Sequence, residues 1–154
     1  MHLKQGYKMN NIKIISILIF LSMISCTKSS IQLFESAEEN VKNNQIDMAI
    51  NDLKNLLIQH PNDTLASKAQ YKLATIYLNW KNNPDKGYQE LKNTASQYKN
   101  TVQGKEAGTR LVNFPEYILN KTESLRKQKL LKEAVNHLMF LMKEFNTHQL
   151  ASKA

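Results

Sequence analysis

Apolar residues along most of this chain recur at three- and four-residue intervals. Ile46, Ala49, Ile50, Leu53, Leu56 and Leu57 lie on one helix face, and Leu131, Ala134, Leu138, Leu141, Met142 and Phe145 repeat that face near the C-terminus. Ala69, Leu73, Ala74 and Tyr77 make a third stripe, and Tyr88, Leu91, Ala95 and Tyr98 a fourth. No stretch alternates apolar and polar residues at the period of a strand. The pattern predicts an all-α chain.

Breaks between the stripes set the helix boundaries. Asn43-Asn44 separates a first helix, near 30–43, from a second, near 46–60. His60-Pro61-Asn62-Asp63 ends the second, with Asp63 placed to cap a third. Lys81-Asn82-Asn83-Pro84 precedes a fourth, with Asn83 as cap and Pro84 at the first helical position. After Tyr98-Lys99-Asn100-Thr101 comes a long helix, near 103–126, which Pro115 kinks or splits because its ring clashes one turn back. Gln128-Lys129 precedes the last full helix, near 130–146.

Parts of the chain repeat. Gln59-His60-Pro61-Asn62 and Gln97-Tyr98-Lys99-Asn100 lie 38 residues apart, as do Leu53 and Leu91, and Leu73 and Leu111. Leu65-Ala66-Ser67-Lys68-Ala69 recurs unchanged as Leu150-Ala151-Ser152-Lys153-Ala154. Periods in this range mark stacked helix pairs, each too small to bury its own apolar face alone. On these residues the chain resembles the tetratricopeptide repeat (TPR) proteins. Ala37, Ala49, Leu53, Leu56 and Pro61 match the first repeat, and Leu73, Ala74, Tyr77 and Leu91 the second, where Gly87 takes the small position and Lys99 replaces the proline. Ala134, Leu138 and Leu141 match the second helix of a third repeat, whereas the segment around Pro115 departs from the pattern. The resemblance implies antiparallel helix pairs stacked in a right-handed α-α superhelix over 31–154, about three pairs with the last repeat incomplete.

The pentapeptide at 150–154 opens a helix on its first appearance. Its second appearance, after a helix presenting Leu131, Leu138, Leu141, Met142 and Phe145, leads us to expect either a longer repeat protein or an end covered by a partner or a second copy.

The N-terminus adds a different signal. Basic Lys4, Lys8 and Lys13 precede an 11-residue apolar stretch, Ile14–Ile24, and Met23-Ile24-Ser25-Cys26 follows with the only cysteine. A bilayer-spanning helix needs about 20 apolar residues, so this run fits the core of a secretory signal instead. Met9 is an alternative start that makes the signal more compact. The arrangement resembles a bacterial lipoprotein signal, in which residues 1–25 are removed and Cys26 receives the lipid. Residues 26–30 are then a lipidated cysteine and short tether. Acyl chains contribute about 0.8 kcal/mol per buried CH₂, and two or more make anchoring stable. Thr27 rather than aspartate after the cysteine implies, by the enteric sorting rule, a bacterial outer membrane with the domain facing the periplasm. A lone cysteine excludes an intrachain disulfide.

The whole chain carries a net charge of +8 over 154 residues. Removing residues 1–25 takes away three lysines and no acid, leaving 18 basic against 13 acidic residues, or +5. Arg110 and Arg126 are the only arginines, and no basic cluster with a groove-reading motif is present, so nucleic acid is not an expected partner. Enzyme signatures are missing too, which leaves a periplasmic hydrolase as the remote alternative to a binding role. His60, His137 and His148 lack metal-ligand spacing, no nucleophile elbow or phosphate loop occurs, and adjacent Glu38 and Glu39 point apart on a helix. No cofactor and no small-molecule substrate is implied. Gly104 and Gly108 read as a close helix-packing pair, and Trp80 and the tyrosines as core.

A lipobox joined to TPR-like repeats is similar to outer-membrane lipoproteins of the BamD type, which serve β-barrel assembly, and to periplasmic adaptors of the cell-division and Tol-Pal kind. The implied partners are envelope proteins or peptides held in a concave face, with the membrane reached through Cys26. By repeat position Lys68, Tyr71, Lys72, Thr75 and Asn79 line that face in the second repeat, and Thr109, Arg110 and Asn113 in the third. Lys72 and Arg110, in register at 38 residues, are candidates to hold a carboxylate or acidic segment.

Overall fold

The computed structural model describes residues 28–150, within which there are seven α-helices and no strand. They are α1 (Ser30–Lys42), α2 (Ile46–Gln59), α3 (Ala66–Asn79), α4 (Pro84–Gln97), α5 (Val102–Val112), α6 (Phe114–Lys127) and α7 (Leu131–Glu144). The all-α expectation holds. The apolar signal stretch, Cys26 and residues 151–154 lie outside the described residues.

Local chemistry starts several helices where the turn residues predict. The Asn83 side chain accepts the Lys86 N–H at 3.0 Å, with Pro84 opening α4 where a missing N–H costs nothing. Ser29 and Gln32 form a reciprocal capping box at α1, and Thr101 accepts the Gly104 N–H at 3.0 Å at α5. Asp63 does something else. Its Oδ1 accepts the Leu65 N–H at 2.8 Å and its Oδ2 accepts the Ser30 hydroxyl at 2.7 Å, so it shapes the turn before α3 instead of capping the helix. The backbone donor and then the Ser30 hydroxyl hold its pKa below the usual carboxylate value. The same turn holds the start of α1: His60 Nε2–H donates to the Lys28 carbonyl at 3.0 Å.

The long helix near 103–126 is split, as Pro115 implies. α5 ends at Val112 and α6 begins at Phe114, with Asn113 shared by both ends. Pro115 sits in the first turn of α6, where its lack of an N–H is harmless and its ring would obstruct an uninterrupted helix.

Helices pack in chain-adjacent pairs: α1 on α2, α3 on α4, and α6 on α7, with α5 against α4. Contacts of α2 with α3, α3 with α5, and α4 with α7 join these units. Two apolar clusters result. Leu33 and Ala37 of α1, Ala49, Ile50, Leu53 and Leu56 of α2, and Ala66, Ala69, Leu73, Ile76 and Tyr77 of α3 form the first. Ala74 and Leu78 of α3, Leu91, Ala107, Phe114, Ile118, Phe140 and Leu141 form the second. α3 therefore serves both, with opposite faces buried. Each fully buried leucine contributes about 1.5–3 kcal/mol. Around Phe114 the second cluster is aromatic, with ring centroids 4.9 Å from Tyr88 and 5.7 Å from Phe140 in tilted and edge-on geometry.

Several expected core positions are not core. Trp80 is exposed at the end of α3, and Leu131 and Met142 of the α7 stripe are exposed while Ala134 and Leu141 are buried. A 3.6-residue stripe records a wide face, and only part of that face meets another helix here. Gly104 and Gly108 are not a packing pair either. A Cβ on Gly104 would run into the Tyr98 carbonyl, a contact within the preceding turn, and one on Gly108 would meet nothing.

Candidate interaction surface

α3 and α5 pack side by side, which brings two of the eight expected surface residues into direct contact. The Tyr71 hydroxyl accepts from Arg110 Nη1 at 3.2 Å and donates to Glu106 Oε1 at 2.5 Å. Arg110 also lies over two aromatic rings, 5.7 Å from the Tyr71 centroid and 5.8 Å from that of Tyr117 on α6. Its hydrogen bond goes to a phenol, and no carboxylate among the described residues lies within ion-pairing distance of it. The result is a half-buried cation, held in place by two rings and a hydroxyl, whose charge is not neutralised by a direct partner.

Both phenols are protonated at neutral pH. Burial raises the pKa of Tyr71, and the Glu106 acceptor adds to that, while Arg110 opposes it. Burial also raises Tyr117, whose hydroxyl is enclosed with no hydrogen-bond partner.

The remaining expected residues are distributed around this group. Lys72 turns toward α1 and pairs with Glu38 at 3.2 Å, so Lys72 and Arg110 do not converge on one point. Thr75 donates to the Tyr71 carbonyl, Thr109 to the Lys105 carbonyl and Asn113 to the Thr109 carbonyl, each one turn back along the chain. Lys68 and Asn79 are exposed on α3. Glu106 and Tyr117 were not anticipated. Glu106 stands four residues before Arg110, the spacing of a helix-face pair, and that was the available signal. Tyr117 carried none, because the break at Asn113 sets where α6 points.

Elsewhere, an open cleft of about 540 Å³ lies between the 81–85 segment and α7. Its charged lining is partly engaged: Lys81 pairs with Asp47 at 2.6 Å, and Lys143 with Asp85 at 3.5 Å. Among the described residues no group of three or more His, Cys, Asp or Glu side chains is placed to hold a metal ion. No helix among them is long and apolar enough to cross a membrane.

Compared with known proteins, the chain significantly matches no family model, no curated protein and no solved structure.

Proposed function

We propose that this chain is a lipid-anchored scaffold of the bacterial envelope, built on TPR-type helix pairs, which binds a protein partner and catalyses no reaction. The observation that carries the proposal is Arg110, fixed between Tyr71 and Tyr117 where α3 and α5 adjoin, with its charge unpaired. A preorganised guanidinium of this kind suits a carboxylate or acidic segment, because little side-chain entropy remains to be lost on binding. Lys68 stands three residues before Tyr71 on α3 and supplies a second, flexible cation. Lys72 contributes less than its repeat position implies, since Glu38 already occupies it. The membrane-assembly role of BamD-like lipoproteins is the particular reading we favour, on the combination of lipobox and repeat pattern. A cell-division or Tol-Pal-type adaptor is its alternative.

Crosslinking in detergent-solubilised outer membrane, with wild type beside Arg110→Glu, tests the proposal. Barrel-assembly components captured by wild type and at least tenfold less by the variant are the expected result. Division or peptidoglycan factors captured in the same Arg110-dependent way shift the reading to the adaptor. Equal capture by both proteins, with the variant folded by circular dichroism, removes Arg110 from the interaction. For the anchor, mass spectrometry is expected to find a diacylglyceryl-modified Cys26 at the mature N-terminus. An unmodified N-terminus at another residue overturns it.

A further inference from the structure

The first and last helix pairs of the described chain are copies of one another at an offset of 85 residues. α2 spans Ile46–Gln59 and α7 Leu131–Glu144, and α1 overlays α6 to within a residue at each end. The connections coincide: Asn44 and Lys129 both have left-handed backbone, with φ of 58° and 61°. The Gln45 N–H bonds the Asn40 carbonyl at 2.7 Å, and the Leu130 N–H bonds the Leu125 carbonyl at 2.9 Å. The correspondence continues beyond the helices. Asp63 N–H donates to the His60 carbonyl and His148 N–H to the Phe145 carbonyl, at 3.1 and 2.8 Å. Leu65 N–H is then accepted by the Asp63 side chain, and Leu150 N–H by the His148 ring, at 2.8 and 3.2 Å.

What differs is the cover. On the side facing the preceding helix, Ala49 and Leu56 of α2 and their counterparts Ala134 and Leu141 of α7 are all buried. On the other side α2 meets α3, and Ile50 and Leu53 are 8 % and 0 % exposed, with Ile46 and Leu57 packed against the same cluster. Their counterparts on α7 are Leu131, Val135, Leu138 and Met142. All four are apolar, and Leu131, Val135 and Met142 are 61 %, 52 % and 56 % exposed. The stripe is kept, and among the described residues nothing lies on it.

We infer that this outer face of α7 is a docking site for an amphipathic helix with the apolar spacing of α3. α3 meets the first cluster through Ala66, Ala69, Leu73, Ile76 and Tyr77, two of them small enough to let the helix axes approach closely. The five residues that open α3 recur at 150–154, at the matching distance from α7 and behind the same turn hydrogen bonds. In sequence, the residues that begin the helix covering α2 thus recur six residues after the end of α7. This site is separate from Arg110 and does not rest on it.

Oxidation footprinting with hydrogen peroxide on the full chain in detergent tests the inference. Met142 lies in the stripe, and Met48, exposed on α2, is the internal reference. The probe is the chain extended after Ala154 by a copy of Gln70–Asn79, which carries the apolar spacing of α3. The extension is expected to slow Met142 oxidation at least fivefold while Met48 stays unchanged, and Val135→Lys in the extended chain is expected to restore the rate. Val135 is exposed, so this variant keeps the fold. Two results overturn the inference. In one, Met142 oxidises equally fast with and without the extension. In the other, Met142 is protected in the unextended chain in proportion to protein concentration, which assigns the face to a second copy.

Discussion

Gly87 of α4 lies against Leu78 and the Ala74 carbonyl of α3, where there is no room for a side chain. A Cβ there would fall inside the Leu78 side chain, which is itself fully buried. At the corresponding place the first and last pairs use Ala49 and Ala134, both buried. Gly87→Ala is expected to lose about 1–3 kcal/mol by overpacking, even though alanine favours helix, and urea unfolding measures it. A second residue with consequences beyond its size is His137, buried in α7. Its Nδ1–H donates to the Glu133 carbonyl at 2.8 Å, while Nε2 is enclosed without a partner. Burial lowers its pKa, with the Glu133 carbonyl opposing and Lys121 adding a smaller push downward. The unfolded chain therefore binds a proton more readily than the folded one. Stability from this group is complete above the ordinary histidine value of 6.5 and is lost as pH falls from there toward the lowered native value. Thermal melting between pH 7.5 and pH 5 checks this. The slope in wild type is expected to be shallower in His137→Leu.

Among the elements, α2 was the most legible. Its stripe at 46, 49, 50, 53, 56 and 57 is buried or half-buried along its length, and Leu53 is fully enclosed between α1 and α3. Leu53→Ala is expected to cost about 2–5 kcal/mol, and Ala74→Leu about 1–3 kcal/mol through overpacking where α3 enters the second cluster. Wild-type denaturation midpoints for both would contradict this packing. Turn residues located most boundaries well, because Asn83 with Pro84 acts on the backbone locally. Asp63 misled because its carboxylate has competing donors, and the Ser30 hydroxyl that claims one oxygen comes from another helix. α6 was the least legible. Phe114, Ile118 and Leu125 are buried, but Pro115 interrupts their periodicity with that of α5. The candidate surface followed the same division. Repeat spacing put Tyr71 and Arg110 on adjoining helices, whereas the direction of Lys72 depended on Glu38, which no spacing within α3 or α5 reveals.

For the whole molecule, the layers differ in what holds them. The first cluster is mainly aliphatic and shared by three helices, and the second is built around Phe114 and Phe140 and draws on five. α3 belongs to both, so disturbing it is expected to unfold the described chain as a unit. Hydrogen exchange would show this as similar protection in α1 and α7 falling together in Ala74→Leu. Arg110 and the outer face of α7 then sit on separate parts of one cooperative body. On the scaffold reading, Arg110→Glu weakens partner capture without lowering the melting temperature by more than a degree or two, since its ring contacts are partly exposed.

The bond from His60 to the Lys28 carbonyl has a mechanical meaning. Cys26 is only two residues from Lys28, so an acyl anchor there would be coupled to the turn between α2 and α3, ahead of the axis of α1. Tension between membrane and partner would enter the protein at that turn, at the junction of two helices. His60→Ala would free Lys28 alone, because the capping box still holds Ser29, adding about 3.5 Å of slack at 3.3–3.6 Å per residue. With a lipid on Cys26, a pull on the anchor would reach the α2–α3 turn directly in the wild type and only after that slack is taken up in the variant.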